Sequence, residues 1–452
     1  MKSHSSFVCQ QCGYETPQWY GKCPNCGEWN TLVETVREEG KRQTENGKRG
    51  IQSAKPQKLS EVKHIEKNRL KSGYGEFDRV MGGGIVPGSV TLLAGDPGIG
   101  KSTLLLHVLS KIGGMYVSGE ESAEQVKLRA KRLGIDGANI SVFAETNVEG
   151  IVSVIPATEP ESSGKEDGSR VKPGMTRVPL VIIDSIQTLS SSDLDGMAGS
   201  VGQIRRSAEL LIAAAKSRSI PILIIGHVTK EGAIAGPKVL EHMVDTVLYI
   251  EGERFANARI LRTLKNRFGP VEEVGIFEMA DEGLKEVDNP SALFLQDRVK
   301  NVPGSVVTVI MEGTRPLLVE IQGLAVPSQL AMPRRVGSGV DYNRLQLLVA
   351  ILQKRLNVPL GTFDIFVNVS GGLKISEPSA DLAIALAILS SFKNKALDPK
   401  TAVFGEVGLL GEVRSIGSED RRSKEAKRLG FTTVLSPKIA RNLQQVAKYL
   451  DG

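Results

Sequence analysis

Aromatic residues and cysteines are scarce in this chain of 452 residues, and long apolar runs are absent. Hydrophobic residues reach 40%, enough for ordinary packed cores, but aromatic residues make up only 5%. All 4 cysteines lie within residues 9–26, whereas a secreted protein would scatter them to staple its loops. The longest apolar stretch, Leu382–Leu389, is far shorter than the ~20 residues that span a bilayer. We therefore expect a cytoplasmic protein with no membrane segment and, since MKSHSSFVCQ lacks an apolar core, no signal peptide.

Glycine, by contrast, is abundant, with 48 residues, and a glycine-rich, aromatic-poor composition suits nucleotide-binding α/β domains. At roughly 100–200 residues per domain, the length predicts two to four domains. The formal net charge is +6, and residues 1–72 alone hold 13 Lys/Arg against 8 Asp/Glu. A local basic excess favours polyanions through counterion release, although charge alone is explained more simply by a solvated tail.

Four segments divide the chain. Residues 1–34 carry the cysteines, and residues 35–60 are polar and basic, as expected of a linker. Residues 61–285 alternate β-branched runs with helical stretches, which predicts an α/β domain with a buried, mostly parallel sheet. Within it, residues 156–177 are rich in Pro, Gly, Ser and charge, so we expect a flexible insertion. Residues 286–452 form a second α/β domain.

Short apolar runs mark the expected strands. In the third segment they are VTLLAG, GMYVSGE, ISVFAE, PLVIIDS, IPILIIGHV and TVLYIEG. In the last segment VVTVIMEG, LLVEIQGLAV and DIFVNVS are the expected strands, and Tyr342–Leu356 and Ser379–Phe392 are the expected helices.

The cysteines form a C-x2-C-x10-C-x2-C pattern made of Cys9, Cys12, Cys23 and Cys26. Each pair is followed by a glycine, which lets a knuckle fold back on its sulfurs. Four thiolates at this spacing predict a closed tetrahedral Zn²⁺ site whose metal supplies the folding energy of the small domain. Two disulfides or a redox CxxC are the competing interpretations. Trp19, Tyr20 and Trp29 either stack on bases or pack the ribbon itself.

A glycine-rich loop lies between the strand VTLLA and the helix STLLLHVLSKI. It fits G-x-x-x-x-G-K-[ST] in the strand–loop–helix context that this motif requires. Backbone amides and the helix N-terminus would hold the phosphates of ATP, Lys101 would reach the β- and γ-phosphates, and the Ser102 hydroxyl would bind Mg²⁺. The nucleotide-binding residues predicted here are Gly95, Asp96, Pro97, Gly98, Ile99, Gly100, Lys101, Ser102 and Thr103.

Acidic residues follow two other predicted strands. Asp184 ends LVIID, at the strand edge where ligands bind in open α/β sheets, and is the second candidate Mg²⁺ ligand. Its alternative role is to cap the next turn. Glu120 ends MYVSGE and is the candidate that polarises the attacking water, with Glu121 as its rival. His227 ends IPILIIGH and is a candidate γ-phosphate sensor or a structural histidine.

Taken in order, the zinc knuckles, GDPGIGKST, VIIDSIQTL, GHVTKEGAIAGPKVLEHMVD and KNRFG resemble the RadA/Sms family from about residue 5 to residue 440. The resemblance implies a RecA-like ATPase core and a homo-oligomeric ring, expected to be a hexamer. It also implies action on single-stranded and branched DNA, with recombinase or replication proteins as further partners. ATP, Mg²⁺ and Zn²⁺ are the implied cofactors. Glu120 falls at the catalytic glutamate position and His227 at the sensor position.

The KNRFG pentapeptide spans Lys265–Gly269. In RecA-like rings, basic residues at this place reach the nucleotide of the neighbouring subunit, so the resemblance assigns Lys265 and Arg267 to catalysis in trans. Such an arrangement requires head-to-tail assembly. The alternative is a basic turn on the surface.

The last segment resembles the Lon protease domain through FVNVSGGLKISEPSADLAIALAI and VFGEVGLLGEVRSIG. Ser379 falls at the position of the nucleophilic serine, but Asp420 falls where the activating lysine should be, and Lys424 lies one helical turn later. Because an aspartate cannot replace that lysine, we expect a non-proteolytic platform in which Ser379 caps its helix.

Three functions therefore compete. A DNA-dependent ATPase motor in recombinational repair, active in branch migration, uses every motif above. A RecA-like ATP switch that assembles with protein partners would need ATP binding more than hydrolysis. An ATP-dependent protease is disfavoured by the missing lysine.

Overall fold

The computed structural model describes residues 4–9, 14–25, 27, 29, 31–37, 69–156, 178–227, 238–252 and 258–451. Residues 38–60 of the predicted linker and residues 157–177 of the predicted insertion lie outside this part. Contacts divide the chain into two units: Met1–Tyr249 with Leu264–Gly269, and Ile250–Thr263 with Pro270–Gly452. The four domain ranges given above remain predictions.

The first unit begins with a small antiparallel sheet and continues as an α/β domain. The small sheet has the strands β1 (His4–Cys9), β2 (Glu15–Thr16) and β3 (Leu32–Arg37), in the order β2-β1-β3. The α/β domain has the elements α1 (Gly75–Val80), β4 (Val90–Gly95), α2 (Lys101–Ile112), β5 (Gly114–Ser118), α3 (Ala123–Arg132), β6 (Ile140–Ala144), α4 (Val148–Val154), β7 (Val181–Asp184), α5 (Val201–Arg218), β8 (Ile222–His227), α6 (Lys238–Glu241) and β9 (Thr246–Glu251); the last two residues of β9 group with the second unit.

The strands of the α/β domain lie in the order β9-β4-β8-β7-β5-β6. The pairs β4–β8, β8–β7, β7–β5 and β5–β6 are all parallel. Strands β4, β5 and β7 are buried along their whole length, which explains their continuous apolar sequence. Side-chain caps begin the flanking helices: Ser122 and Gln125 form a capping box on α3, and Ser200 caps α5. The predicted mostly parallel sheet is confirmed.

The second unit is also α/β. Its elements are β10 (Ala258–Asn266), β11 (Val274–Ala280), β12 (Gly283–Glu286), α7 (Pro290–Leu295), β13 (Ser305–Glu312), β14 (Arg315–Pro327), β15 (Arg335–Ser338), α8 (Tyr342–Leu356), β16 (Phe363–Val369), α9 (Asp381–Lys393), β17 (Thr401–Val403), β18 (Glu406–Val407), β19 (Val413–Arg414), α10 (Glu419–Arg428), β20 (Thr433–Leu435) and α11 (Leu443–Ala447); the last three residues of β10 group with the first unit.

A mixed sheet organises this second unit, in the order β15-β16-β14-β13-β17-β20. Strands β13 and β14 form a hairpin whose turn includes Gly313, with φ +59°. The helix α9 is buried on nearly every face, in one apolar cluster with the inner side of α8. The two helices predicted in this segment are therefore present. Within the described residues, none of the helices combines the length and apolar character needed to cross a bilayer.

Candidate nucleotide-hydrolysis site

The glycine loop lies between β4 and α2 as predicted. Gly98 and Gly100 have φ of +78° and +113°, values that an L side chain would strain to adopt. Gly100 is the N-cap residue of α2 and no side chain caps this helix, so its first amides are left to a ligand. The Lys101 ammonium is buried and donates to the carbonyl oxygens of Gly95 and Asp96, at 2.8 and 2.9 Å. The loop has the backbone form that binds phosphate.

Functional side chains meet at the carboxyl edge of the parallel strands. Gly95 at the end of β4 pairs with His227 at the end of β8, and Ser118 at the end of β5 pairs with Asp184 at the end of β7. Glu120 follows β5, and its Oε1 accepts from Ser185 Oγ at 3.0 Å. The structure thus brings four of the predicted residues, Lys101, Glu120, Asp184 and His227, to one edge.

The two candidate glutamates have different surroundings. The Glu120 side chain is 51% exposed, and its Oε1 lies 3.9 Å from His227 Nε2. Glu121 turns away, because its Oε2 forms an ion pair of 2.9 Å with Arg129 Nη2. A carboxylate oxygen that already contacts an arginine is less free to bind and orient a water, so this geometry favours Glu120 for the water-activating role.

Burial and neighbouring charges shift the pKa values of two side chains at this edge. Burial lowers the pKa of Lys101 to about 8, against the opposing charges of Asp184, Asp96 and Glu120. Burial, followed by the charge of Lys101, also lowers the pKa of His227, so its imidazole is neutral at pH 7. A neutral imidazole can donate one hydrogen bond without adding charge.

The buried polar atoms near this edge that have no hydrogen-bond partner among the described residues include Nδ1 of His227 and Oε1 of Gln187. The Gln187 amide nitrogen donates to the His227 carbonyl at 3.3 Å. Unsatisfied buried polar atoms are costly unless a ligand or water pairs with them. They fit a site for a triphosphate with its metal, as do the uncapped helix and the hydroxyl and carboxylate donors of Ser102 and Asp184, which suit Mg²⁺.

Several residues of this site are not among those predicted from the sequence. Tyr116, on β5, donates a hydrogen bond to Asp184 Oδ2 and accepts one from Arg129 Nη2 at 2.7 Å. Ser185 and Gln187 directly follow Asp184 along the chain, and that adjacency is the signal that could have found them. Nothing in the sequence distinguishes Tyr116 from other strand residues, or Arg129 from the other basic residues of α3.

Lys265 and Arg267 do not join this edge through any contact of their own protomer that the structure describes. The Lys265 ammonium donates to the carbonyl oxygens of Glu241, the last residue of α6, and Val244, at 2.7 and 2.9 Å. Arg267 is 52% exposed, and its Nη1 lies 3.3 Å from Asp245 Oδ1. Arg267 is therefore accessible to another molecule, whereas Lys265 is engaged within its own chain.

The zinc knuckles are partly described. Cys9 and Cys23 are buried and pack with Leu32, while Cys12 and Cys26 lie outside the described residues. The Gly27 amide donates to the Cys23 carbonyl at 2.9 Å with φ +77°, which is the folded-back turn expected after CPNC. Two buried thiols, Cys23 on this turn and Cys9 at the end of β1, fit the predicted Zn²⁺ site.

Three aromatic residues of the ribbon are exposed, although Phe7 packs against the buried cysteines. Trp19, Tyr20 and Trp29 are 55%, 43% and 68% accessible. The Trp19 indole N–H donates to the Leu32 carbonyl at 3.2 Å, so one edge of that ring is fixed. The Lys22 ammonium lies 5.7 Å from the centre of the Trp29 ring, so one face of that ring is engaged within the chain. The rest of the exposed ring surface is accessible to another molecule.

In the second unit, Ser379 is not the N-cap of its helix, and that prediction was wrong. A 3₁₀ turn, Pro378–Ala380, precedes α9, and the N-cap position belongs to Ala380. The buried Ser379 Oγ instead accepts from Arg422 Nη1 at 3.0 Å. The carboxylate of Asp420 binds Lys438 at 2.9 Å on the surface, and Lys424 is exposed. A guanidinium stays protonated and cannot activate a serine.

Replacing Arg422 by Met should lower the free energy of unfolding by about 3 kcal/mol, because the Glu377 carboxylate loses its cationic partner. Arg422 is buried and donates to both oxygens of Glu377, at 2.9 and 2.6 Å, and to the Val309 carbonyl. Chemical denaturation of the full chain measures the loss. Arg421→Met, at an exposed neighbour, is the control, and equal stability of the two variants would contradict the prediction.

Gly119→Ala should lower the kcat of ATP hydrolysis about tenfold by displacing the segment that carries Glu120. A Cβ at Gly119 would lie 1.9 Å from Thr188 Oγ1 and 2.8 Å from Thr188 Cβ. The Gly119 amide also donates to the Asp184 carbonyl at 2.9 Å. Steady-state ATPase rates test this, with Gly150→Ala as control, because its Cβ would meet nothing closer than 3.4 Å. An unchanged kcat for Gly119→Ala would show that the segment tolerates the shift.

Family models match three regions: Rubredoxin metal binding domain at residues 7–34, KaiC at residues 70–289, and Subunit ChlI of Mg-chelatase at residues 340–440. The RadB recombinase crystal structure is 21% identical, with a TM-score of 0.35, and covers 48% of this chain and 100% of its own. The ATPase domain of G40P is 17% identical, with a TM-score of 0.37, and covers 48% of this chain and 91% of its own.

These features define a zinc-ribbon protein with a RecA-like ATPase core and an α/β C-terminal domain, and its cofactors are ATP, Mg²⁺ and Zn²⁺. The protein named DNA repair protein RadA in Bacillus subtilis is 48% identical over 96% of this chain and 93% of its own length. That of Listeria monocytogenes is 45% identical over 97% of this chain and 93% of its own. The chain belongs to the RadA family of DNA repair proteins. The predicted family and fold class are thus confirmed.

Proposed function

We propose that this protein is a DNA-dependent ATPase of recombinational repair, a cytoplasmic ring-forming motor that moves on single-stranded DNA and promotes branch migration. The observation that carries the proposal is the meeting of Lys101, Glu120, Asp184 and His227 at the carboxyl edge of the parallel strands. Phosphate binding, metal binding and water activation thereby share one edge. Membership of a DNA repair family supports DNA as the polymer on which the protein acts when it hydrolyses ATP.

In the proposed site each residue has one task. The amides at the start of α2 and the Lys101 ammonium hold the phosphates, and Ser102 and Asp184 hold Mg²⁺, which neutralises phosphate charge when bound. Glu120 orients the attacking water and accepts its proton. The neutral His227, beside Glu120, donates to the γ-phosphate and so registers its loss. Thr103 and the remaining loop residues, Asp96, Pro97 and Ile99, shape the cradle.

The cations of KNRFG complete the site from a neighbouring protomer. Arg267 is half-exposed, and its ion pair with Asp245 has a length of 3.3 Å, so it can turn toward another molecule at low energetic cost. Lys265 would have to give up carbonyl contacts of 2.7 and 2.9 Å to do the same. We therefore assign the finger role first to Arg267, with Lys265 fixing the segment after α6. This arrangement needs a head-to-tail ring, which we propose is a hexamer.

The second unit serves as a platform for assembly and DNA contact rather than as a peptidase. Its serine is held by an arginine, and the residue aligned with the lysine of the Lon dyad, Asp420, is paired with Lys438. The exposed rings of Trp19 and Trp29 give the zinc ribbon a surface for DNA or for a recombinase or replication protein.

The deciding experiment measures ATPase rate with no DNA, single-stranded DNA and duplex DNA, together with particle size with and without nucleotide. We expect stimulation by single strands, steep loss of DNA binding with salt, and a nucleotide-dependent oligomer. An ATPase rate indifferent to DNA would overturn the motor. The ATP switch would replace the motor as the proposed function under one outcome. In that outcome, Lys101→Ala abolishes assembly with a protein partner, whereas a hydrolysis-deficient Lys265→Ala protein still assembles with that partner.

A further inference from the structure

A chain of hydrogen bonds connects the helix α3 to Asp184. Tyr116 is fully buried on β5, and its hydroxyl donates to Asp184 Oδ2. Arg129, on α3, donates from Nη2 to that hydroxyl at 2.7 Å and lies 3.7 Å from Asp184 Oδ2. The same guanidinium is paired with Glu121 at 2.9 Å, and its Cζ lies 5.6 Å from the centre of the Tyr116 ring.

The direction of these bonds follows from donor chemistry alone. An arginine has donors and no acceptor, so Tyr116 must accept from Arg129 and use its single proton toward Asp184. Oδ2 of Asp184 thereby accepts a hydrogen bond, and Oδ1 together with the second lone pair of Oδ2 is left for the metal or its water. Hydrogen bonds to a charged group are about twice as strong as neutral ones, so this contact holds the carboxylate in one orientation.

We propose that Tyr116 and Arg129 are positioning residues that orient Asp184 for Mg²⁺ and link the metal site to α3. The proposal rests on the proposed role of Asp184 as a magnesium ligand. Neither residue touches the nucleotide in this scheme. A tyrosine that merely fills the core would affect stability alone, whereas a positioning residue affects the metal as well.

The test is the Mg²⁺ dependence of nucleotide binding by the full chain, followed with a fluorescent non-hydrolysable ATP analogue. Tyr116→Phe removes only the hydroxyl and keeps the ring. We expect its half-saturating Mg²⁺ concentration to rise about tenfold, the effect of losing one hydrogen bond to a carboxylate. Binding of the analogue in EDTA should match that of the parent protein. Tyr342→Phe, on an exposed ring that contacts Gln346, is the control and should match the parent in both conditions.

Arg129→Gln provides the second variant in case Tyr116→Phe does not fold. It should raise the half-saturating Mg²⁺ concentration about as much as Tyr116→Phe does. Arg129→Lys, which keeps a cation, should restore part of the lost Mg²⁺ affinity. An unchanged half-saturating Mg²⁺ concentration in Tyr116→Phe or Arg129→Gln overturns the proposal, even where melting temperature falls. A parent protein that binds the analogue with no Mg²⁺ dependence overturns the assignment of Asp184 as well. If the parent protein showed normal Mg²⁺ dependence but no DNA-stimulated ATPase activity, the proposed DNA motor would be contradicted and the positioning role of Tyr116 and Arg129 would not.

Discussion

Arg267→Ala protein is expected to bind ATP as the parent does and to hydrolyse it about a thousandfold more slowly, the effect of losing a cation supplied in trans. The physical reason is position. Arg267 is half-exposed and contacts Asp245 in its own chain, so its removal leaves the cradle around Lys101 intact. Binding of a fluorescent nucleotide and steady-state ATPase on single-stranded DNA give the two readouts.

Mixing two inactive proteins separates action in trans from action in cis. Lys101→Ala protomers lack the phosphate lysine but keep Arg267, and Arg267→Ala protomers have the reverse. In a randomly mixed head-to-tail ring, about one interface in four combines an intact cradle with an intact finger. We therefore expect mixtures to regain about a quarter of the parent rate, whereas either variant alone stays inactive.

Arg206→Ala is the matched control for this series. Arg206 is a partly exposed arginine of α5 that is paired with Asp193 at 2.6 Å. Its replacement should leave both ATP binding and hydrolysis near the parent values. If Arg267→Ala hydrolysed ATP at the parent rate, the finger assignment would be lost. If mixtures stayed inactive although the variants assemble together, the arginine would act within its own chain.

The parts that the sequence predicted are those with a local signature. The phosphate loop needs glycines beside a strand and a helix, and the strand ends at Asp184 and His227 can be read from apolar runs that stop at a polar residue. Because carboxyl ends of parallel strands share one edge, the meeting of these residues followed from the predicted sheet.

The parts that were missed depend on contacts between distant segments. Nothing along the chain links Tyr116 or Arg129 to Asp184, since a buried tyrosine hydroxyl acquires its partner only when β5 and β7 pair. Ser379 was misassigned for the same reason. Its position before an apolar helix suggested a cap, but Arg422, which lies 43 residues away in sequence, provides its partner.

The choice between Glu120 and Glu121 shows how far structure adds to sequence, because the two are adjacent in the chain. Glu120→Gln is expected to lower kcat by at least a hundredfold, the usual contribution of a general base, with little change in ATP affinity. A glutamine keeps the size of the side chain and the hydrogen bond from Ser185, but it cannot take a proton from water. Single-turnover hydrolysis beside equilibrium nucleotide binding measures the two effects separately.

Glu121→Gln is the comparison that gives this prediction its force. Its carboxylate is paired with Arg129 and is not the group next to His227, so its loss should cost less than about tenfold in kcat. The reverse order, with Glu121→Gln the slower enzyme, would move the base to the second glutamate and require Arg129 to release it during turnover. Equal, small effects would mean that neither glutamate takes the proton, and the water would then have to be activated by the phosphate itself.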